Sequence, residues 1–516
     1  MIQNYTVEKN VQLLVAHLKA HNIKKVIASP GSQHMAFLGS LQFDGSFEIY
    51  SCVDERSAAY MAVGMAAESG EPVVICCTGA TASRNYLPAL TEAFYRKLPI
   101  IAVTGTHEQY FIGHLIAQQI DRNRTPNDIV VHSELIERIN EEGEYWDVEI
   151  KINRALRMLK RNGGGPIHLN LETRNNSDFN VEKLPIPRII DFIDINSDFP
   201  KMGNGPIAIF CGSHNVWSKD LTDAVNDFCG KYNAVVFCDH TSNYMGKYRI
   251  EAQLLGSQEL YKAPSINSIG TLIHIGEITG AYEVNGCLCK AKQTWRISED
   301  GTLRDTFKNV SKVFDMTEEY FFKHYASLKD ISEYSDSYLK ASLEDYKQIY
   351  DSIPEDIPFS NIWIAKTLCT KIPEDSIMHF RLLMINNGLG QEFRNYIHPA
   401  YAWGDSANEY VAAARHFGNK STNLMKHMAE DLGYEYMTAS SKEEVEKVAE
   451  KFLTKDQSDR PMFFEIFTNT EDEGKALFML KHAKSDIKQV IKNKMRNAVK
   501  ETLGENTLKV IKKTLK

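Results

Sequence analysis

Nowhere in this 516-residue chain is there a run of about 18 apolar residues, so no segment reads as a transmembrane helix. The opening residues, MIQNYTVEKN, lack the apolar stretch of a secretory leader, and a cytoplasmic protein is expected. The nine cysteines are scattered without the CxxC pairs of a zinc site, and Cys76 and Cys77 fall inside a predicted core strand. Reduced thiols are therefore expected. No G-x-G-x-x-G follows a strand with an acidic residue about 20 positions on, which excludes the simple dinucleotide-binding dehydrogenase pattern. No short-period repeat occurs. What remains is a composition of 43% hydrophobic and 24% charged residues, that of an enzyme-sized globular chain with roughly two to four domains.

The formal charge of −8 hides an asymmetry. Residues 475–516 hold 12 Lys/Arg against 3 Asp/Glu, a local +9, which leaves −17 on residues 1–474. Within that tail Ile487, Val490, Ile491, Met495, Ala498 and Val499 recur at helical spacing with lysines opposite. Such a basic amphipathic helix can touch a membrane surface peripherally or pack on an acidic partner, and packing on the acidic body of this protein is the favoured reading. Nucleic-acid binding is not expected, because the tail has no aromatic residue after Phe478 and the rest of the chain is acidic.

The densest information lies between Ser29 and Asp121. Apolar β-branched runs at 25–28, 73–77 and 100–103 each end in a Gly/Ser/Thr-rich turn, and helical patterns at 57–69 and 82–95 lie between them. Strand, turn and helix in alternation predict a buried parallel sheet, and in such sheets ligands bind beyond the carboxyl ends of the strands. Pro30–Ser32, Asp54 with Glu55, and Thr78–Thr81 all fall there, so three turns converge on one site.

Further units follow. The first ends near GGGPIHLNLETR (163–174), after which Pro185 and Pro187 mark a connector. Strands at 207–212, 234–239 and 271–276 with a helix at 220–232 make a second, and residues 330–351 read as an exposed helical linker. A third begins near Phe359 with a helix to Thr370, strands at 376–380 and 381–387, a helix at 406–417 and a closing strand at 462–468. The expected architecture is α/β, with three consecutive parallel-sheet domains at 1–183, 184–328 and 329–474, the third incomplete, followed by the tail.

SPGS at 29–32, DER at 54–56, TGATASRN at 78–85 followed by PAL, AQQID at 117–121 and GPIHLNL, in that order and spacing, resemble the pyrimidine-binding half of thiamine-diphosphate enzymes acting on 2-oxo acids. Within that superfamily the chain is most similar to the SEPHCHC synthases, the carboligases of the menaquinone pathway. The resemblance implies thiamine diphosphate and Mg²⁺ as cofactors and a small 2-oxo acid as substrate. The expected reaction is decarboxylation with release or carboligation of the aldehyde unit, in a homodimer or homotetramer. It makes Glu55 the catalytic and cofactor-binding carboxylate that hydrogen-bonds the aminopyrimidine ring and favours the tautomer that deprotonates the thiazolium carbon. A buried carboxylate in that role is expected to have a raised pKa. The alternative for Glu55 is a cap on the helix that follows. Thr78 and Thr81, with Asn85, match the family turn as cofactor-binding residues or as local turn formers. Ser32, Gln33 and Gln118 match substrate-facing positions, against readings of Ser32 as a turn residue and Gln118 as a surface amide.

The departures are informative. Gln33 stands where the synthases have an arginine, and Thr106-His107-Glu108 where they have Asp-Arg-Pro, so the expected arginine fork for a dicarboxylate is gone. His107 and His114 could take over that task. In INNGLGQEF (385–393), Asn387 and the Leu389 carbonyl match the second half of the family's Mg²⁺-diphosphate motif. The first half, a Gly-Asp-Gly-like turn, is missing: the chain passes directly from Phe380 to Arg381 between two family landmarks, and Gly404-Asp405-Ser406 reads as a helix cap. An active enzyme with a lost segment and a lapsed homologue serving as an oligomeric scaffold both remain open.

Overall fold

The computed structural model describes residues 4–174, 177–280, 282–328, 334–372, 423–453 and 460–485. The first unit carries β1 (Tyr5–Thr6), β2 (Lys25–Ala28), β3 (Glu48–Ser51), β4 (Val73–Cys77), β5 (Ile100–Thr106), β6 (His132–Ile136), β7 (Ile167–Glu172) and β8 (Phe179–Val181). Its sheet runs β3-β2-β4-β5-β7-β6 with every pairing parallel, and β1 pairs antiparallel with β8 beside it. β4, β5 and β7 are buried along their whole length, which is why they read as near-continuous apolar runs.

The helices are α1 (Lys9–Ala20), α2 (Met35–Asp44), α3 (Glu55–Ser69), α4 (Thr81–Arg84), α5 (Leu87–Arg96) and α6 (Glu142–Arg157). Alternation along the strands feeds two cores. Val26, Val74 and Ile101 pack with α1, α2 and α6, while Ile27, Ile75 and Ala102 pack with α3 and α5. The contact face of α3 is Ala58, Ala59, Ala62 and Ala66, small enough to bring its backbone close to the sheet. The single helix expected at 82–95 is two, broken at Asn85 and Tyr86, because Pro88 lacks the N–H a continuous helix needs and sits in the first turn of α5 instead.

The second unit holds β9 (Asp191–Asp194), β10 (Ile207–Cys211), β11 (Val235–Cys238), β12 (Arg249–Glu251), β13 (Thr271–Ile275), β14 (Gln293–Ser298) and β15 (Val310–Asp315), ordered β12-β11-β10-β13-β14-β15-β9 and all parallel. The proline-marked connector thus supplies an edge strand. The segment read as an exposed linker is instead packed. Tyr338, Leu339 and Ile349 of the helix Ser337–Asp351 are buried, Tyr338 Oη donates to the Ser265 carbonyl at 2.6 Å, and the Ser265 N–H donates to Asp345 at 2.9 Å. Its acidic residues had hidden an apolar stripe.

The third unit pairs β16 (Glu435–Ala439) in parallel with β17 (Met462–Ile466), flanked by helices Asn361–Leu368, Lys442–Phe452 and Thr470–Lys481. The expectations at 376–380, 381–387, 406–417 and 487–499 lie outside the described residues. So do Asn387 and Leu389.

Candidate functional site

The chain lays down β2, then β3 on one side of it and β4 on the other, so the order reverses between β2 and β4. A crevice opens at such a reversal beyond the carboxyl ends of the strands. Register aligns its walls, because Ala28 pairs with both Ser51 and Cys76.

The two central turns touch. A Cβ on Gly31 would lie 2.6 Å from the Thr78 Cβ, so only glycine allows the turn after β2 to approach the turn after β4 this closely. Gly79 N–H donates to Gln33 Oε1 at 3.2 Å, and Thr173 Oγ1 donates to the Gln33 carbonyl. A Cβ on Gly105 would meet that carbonyl at 2.5 Å. Next to Gly79, Ala80 is held at φ 55°, ψ −133°, a region a side-chain-bearing residue rarely enters, and from there α4 begins.

Glu55 opens α3 at the end of β3, but the cap belongs to Asp54, whose Oδ1 accepts from the Ser57 N–H at 2.7 Å. Glu55 is half-buried and, among the described residues, its carboxylate has no hydrogen-bond or ion-pair partner. It lies close enough to Cys77, at the end of β4, to add to the rise of that thiol, which burial pushes up to about 12. Thr78 Oγ1 and Gln33 Nε2 are buried without partners, as are both ring nitrogens of His34, whose pKa burial lowers to about 4.

The other residues singled out from the sequence are spread around this crevice. Ser32 is exposed at the start of a short turn, while Gln33 points inward. Thr81 is exposed at the first position of α4, and Gln118 is exposed on the loop after β5, with φ 62°. His107 stacks edge-on against Phe111 at 6.2 Å, and His114 is exposed. Glu108 accepts from Arg138 at 3.4 Å and Arg174 at 3.2 Å, so the stretch that replaces Asp-Arg-Pro is used as an ionic tie to the ends of β6 and β7. Among the described residues no group of three or more His, Cys, Asp or Glu could hold a metal.

Sequence reasoning missed Arg122. It follows AQQID directly, is 4% exposed, and donates Nη2 to the Gly105 carbonyl at 2.8 Å, while Nε and Nη1 are buried without partners. Burial lowers its pKa to about 10. An arginine abutting a motif that ends at the site was the available signal, but its depth was not.

Residues 9–125 match the family described as "Thiamine pyrophosphate enzyme, N-terminal TPP binding domain". With the parallel-sheet architecture and the crevice at its reversal point, this makes the first unit similar to the cofactor-binding domains of the thiamine-diphosphate-dependent superfamily. Within it the chain is similar to proteins named 2-succinyl-5-enolpyruvyl-6-hydroxy-3-cyclohexene-1-carboxylate synthase, the SEPHCHC synthases. The Bacteroides thetaiotaomicron protein is 23% identical over 580 residues, covering 92% of this chain and 98% of the relative. That of Bacteroides fragilis is 33% identical over 187 residues, 36% of this chain and 34% of the relative. That of Flavobacterium psychrophilum is 27% identical over 394 residues, 70% and 67%. Since 92% of 516 is about 475, about 100 of the 580 aligned positions in the first comparison have no residue of this chain opposite them.

Thiamine diphosphate is the cofactor this family binds, and Mg²⁺ is typical of it. The residues present fit the pyrimidine end of such a group: a carboxylate without a partner stands at the end of β3, and the turns after β2 and β4 carry an amide and a hydroxyl that also lack partners.

Proposed function

We propose that this chain binds thiamine diphosphate with Mg²⁺ and decarboxylates a 2-oxo acid, releasing the aldehyde unit or transferring it to an acceptor. The observation that carries the reading is the unpartnered carboxylate of Glu55 at the end of β3, near enough to Cys77 at the end of β4 to act on its thiol, beside turns that carry the buried and unpartnered Thr78 Oγ1 and Gln33 Nε2. When bound, the cofactor supplies the nucleophilic carbon and the electron sink. Glu55 holds and returns the proton at the aminopyrimidine ring. Asp54, by taking the capping task, leaves Glu55 free for it. Thr78 and Thr81 orient the ring, the Gln33 tie fixes the distance between the two turns, and Ser32 and Gln118 face the substrate. Asn387 and the Leu389 carbonyl are assigned to the Mg²⁺-diphosphate end.

We place the protein in the cytoplasm, because all nine cysteines are free, and no helix among the described residues is long and apolar enough to cross a membrane. We assign a homodimer or homotetramer. Val53 is 81% exposed beside Glu55, and Tyr60 and Met61 of α3 are 43% and 42% exposed, an apolar surface suited to a second copy. The domain limits 1–183, 184–328 and 329–474 are proposed on the same footing, with a tail from 475 that begins inside the helix Thr470–Lys481.

The second reading, a lapsed homologue acting as an oligomeric scaffold, is favoured by one observation: the roughly 100 aligned positions left without counterpart. Calorimetric titration with thiamine diphosphate and Mg²⁺ separates the two. Magnesium-dependent saturation at micromolar cofactor supports the enzyme, and an absence of heat at millimolar cofactor supports the scaffold.

A further inference from the structure

Arg122 carries a full charge into the interior of the first unit and meets no counter-charge there. One of its donors is used, on the Gly105 carbonyl at 2.8 Å, and among the described residues no carboxylate pairs with it. The charged group that adds to its positive surroundings is Arg84, whose Nη2 donates to the Asp121 carbonyl at 2.9 Å on the same loop. Arg84 is exposed and Arg122 lies beneath it. The two line a cavity of about 20 Å³ together with Thr104 and His168, and His168 has both ring nitrogens occupied, by Thr104 Oγ1 at 2.7 Å and Ser133 Oγ at 2.9 Å. A buried guanidinium is retained at a cost unless an anion offsets it.

The same guanidinium borders the proposed substrate end of the crevice. A Cβ on Gly79 would collide with Gln33 Oε1 and lie 3.5 Å from Arg122 Nη1, so the amide and the guanidinium flank one glycine turn. Gln33 Nε2 also lacks a partner. The two sequence positions where an arginine clamp was sought, Gln33 and His107, hold no fixed charge, yet a planar fork of free donors stands next to one of them.

We propose that Arg122 is the anchor for the carboxylate of the 2-oxo acid, with Arg84 as the outer guanidinium the anion meets first and Gln33 Nε2 as a third donor. This inference rests on the reading of the crevice as a 2-oxo acid site. The cavity that both arginines help line, about 20 Å³, has room for about one water-sized group, so it takes a single carboxylate oxygen at most. A monocarboxylate such as pyruvate suits one buried fork better than a dicarboxylate does.

The test uses the full chain without cofactor and three probes in calorimetry: pyruvate, 2-oxoglutarate and methyl pyruvate, the neutral ester. Pyruvate is expected to bind and the ester not. Arg122→Gln is expected to weaken pyruvate about 10- to 100-fold, and Arg84→Gln by less. Arg122→Lys keeps the charge but loses the fork and should recover only part. Equal affinity for acid and ester in the unaltered protein would overturn the proposal, even were every Arg122 variant to misfold. So would an Arg122→Gln protein of unchanged melting temperature that still binds pyruvate normally. Thiamine diphosphate titrated separately keeps the two ideas apart. Cofactor binding with Arg122-independent pyruvate binding sinks only the anchor. Arg122-dependent pyruvate binding without cofactor binding sustains the anchor and sinks the proposed enzyme.

Discussion

The Ser57 N–H donates to Asp54 Oδ1 at 2.7 Å, and that single bond settles which of two adjacent acids caps α3. Glu55, the next residue, is left half-buried with no partner among the described residues. Asp54→Ala is expected to lower the melting temperature by a few degrees through loss of the cap. Glu55→Gln should leave the melting temperature nearly unchanged and abolish turnover. A variant at Glu55 that melts early but still turns over would assign it a structural role.

Gly31→Ala tests the contact between the two turns. Its new Cβ would sit 2.6 Å from the Thr78 Cβ, so the turns after β2 and β4 must separate. The expected cost is about 1–3 kcal/mol in denaturant unfolding, with a further loss of thiamine diphosphate affinity. Unchanged affinity would show that the spacing of the turns does not matter for the cofactor.

The first and second units are clamped by Asp305, whose side chain is 1% exposed. It accepts from Arg188 Nη1 at 2.8 Å and from Trp146 Nε1 at 2.9 Å, while Arg188 also pairs with Glu149 at 3.1 Å. Asp305→Ala leaves Trp146 Nε1 and the Asn309 and Val310 N–H groups without their acceptor and Arg188 with Glu149 alone, and should cost about 3 kcal/mol, read as a shifted urea midpoint. Arg188→Met in the same background should add a further cost of about 1 kcal/mol or more, since it also removes the guanidinium paired with the nearly buried Glu149.

Much of this was legible in the sequence, and what was not has physical causes. β4 and β5 are buried on both faces, so apolar runs announced them. β3 (EIYS) is largely exposed at the sheet edge, and β6 (HSELI) is half-buried and polar, so neither carries such a run. β9 (DFID) becomes a strand only because β15 offers it a partner. In the site, the converging turns were readable from glycine, serine and threonine at strand ends. The buried Arg122 was not, because an arginine in a polar loop gives no sign of its depth.

Glu8 provides a pH signature. It is 7% exposed, and burial raises its carboxyl from the ordinary 4.5 to about 7, against hydrogen bonds from the Arg174 N–H. Between these values the unfolded chain has released the proton and the folded one still holds it, so stability falls as pH rises from about 4.5 to 7. Glu8→Gln should remove that slope, which urea midpoints at closely spaced pH values will measure. An unaltered slope would place the proton elsewhere.

The most direct measurement is calorimetric titration of the full chain, and of its Glu55→Gln variant, with thiamine diphosphate in the presence and absence of Mg²⁺. Saturable, magnesium-dependent binding at micromolar cofactor, weakened in the variant, is the expected result. No heat at millimolar cofactor, with the protein folded, would contradict the assignment of the Glu55 crevice as a cofactor site.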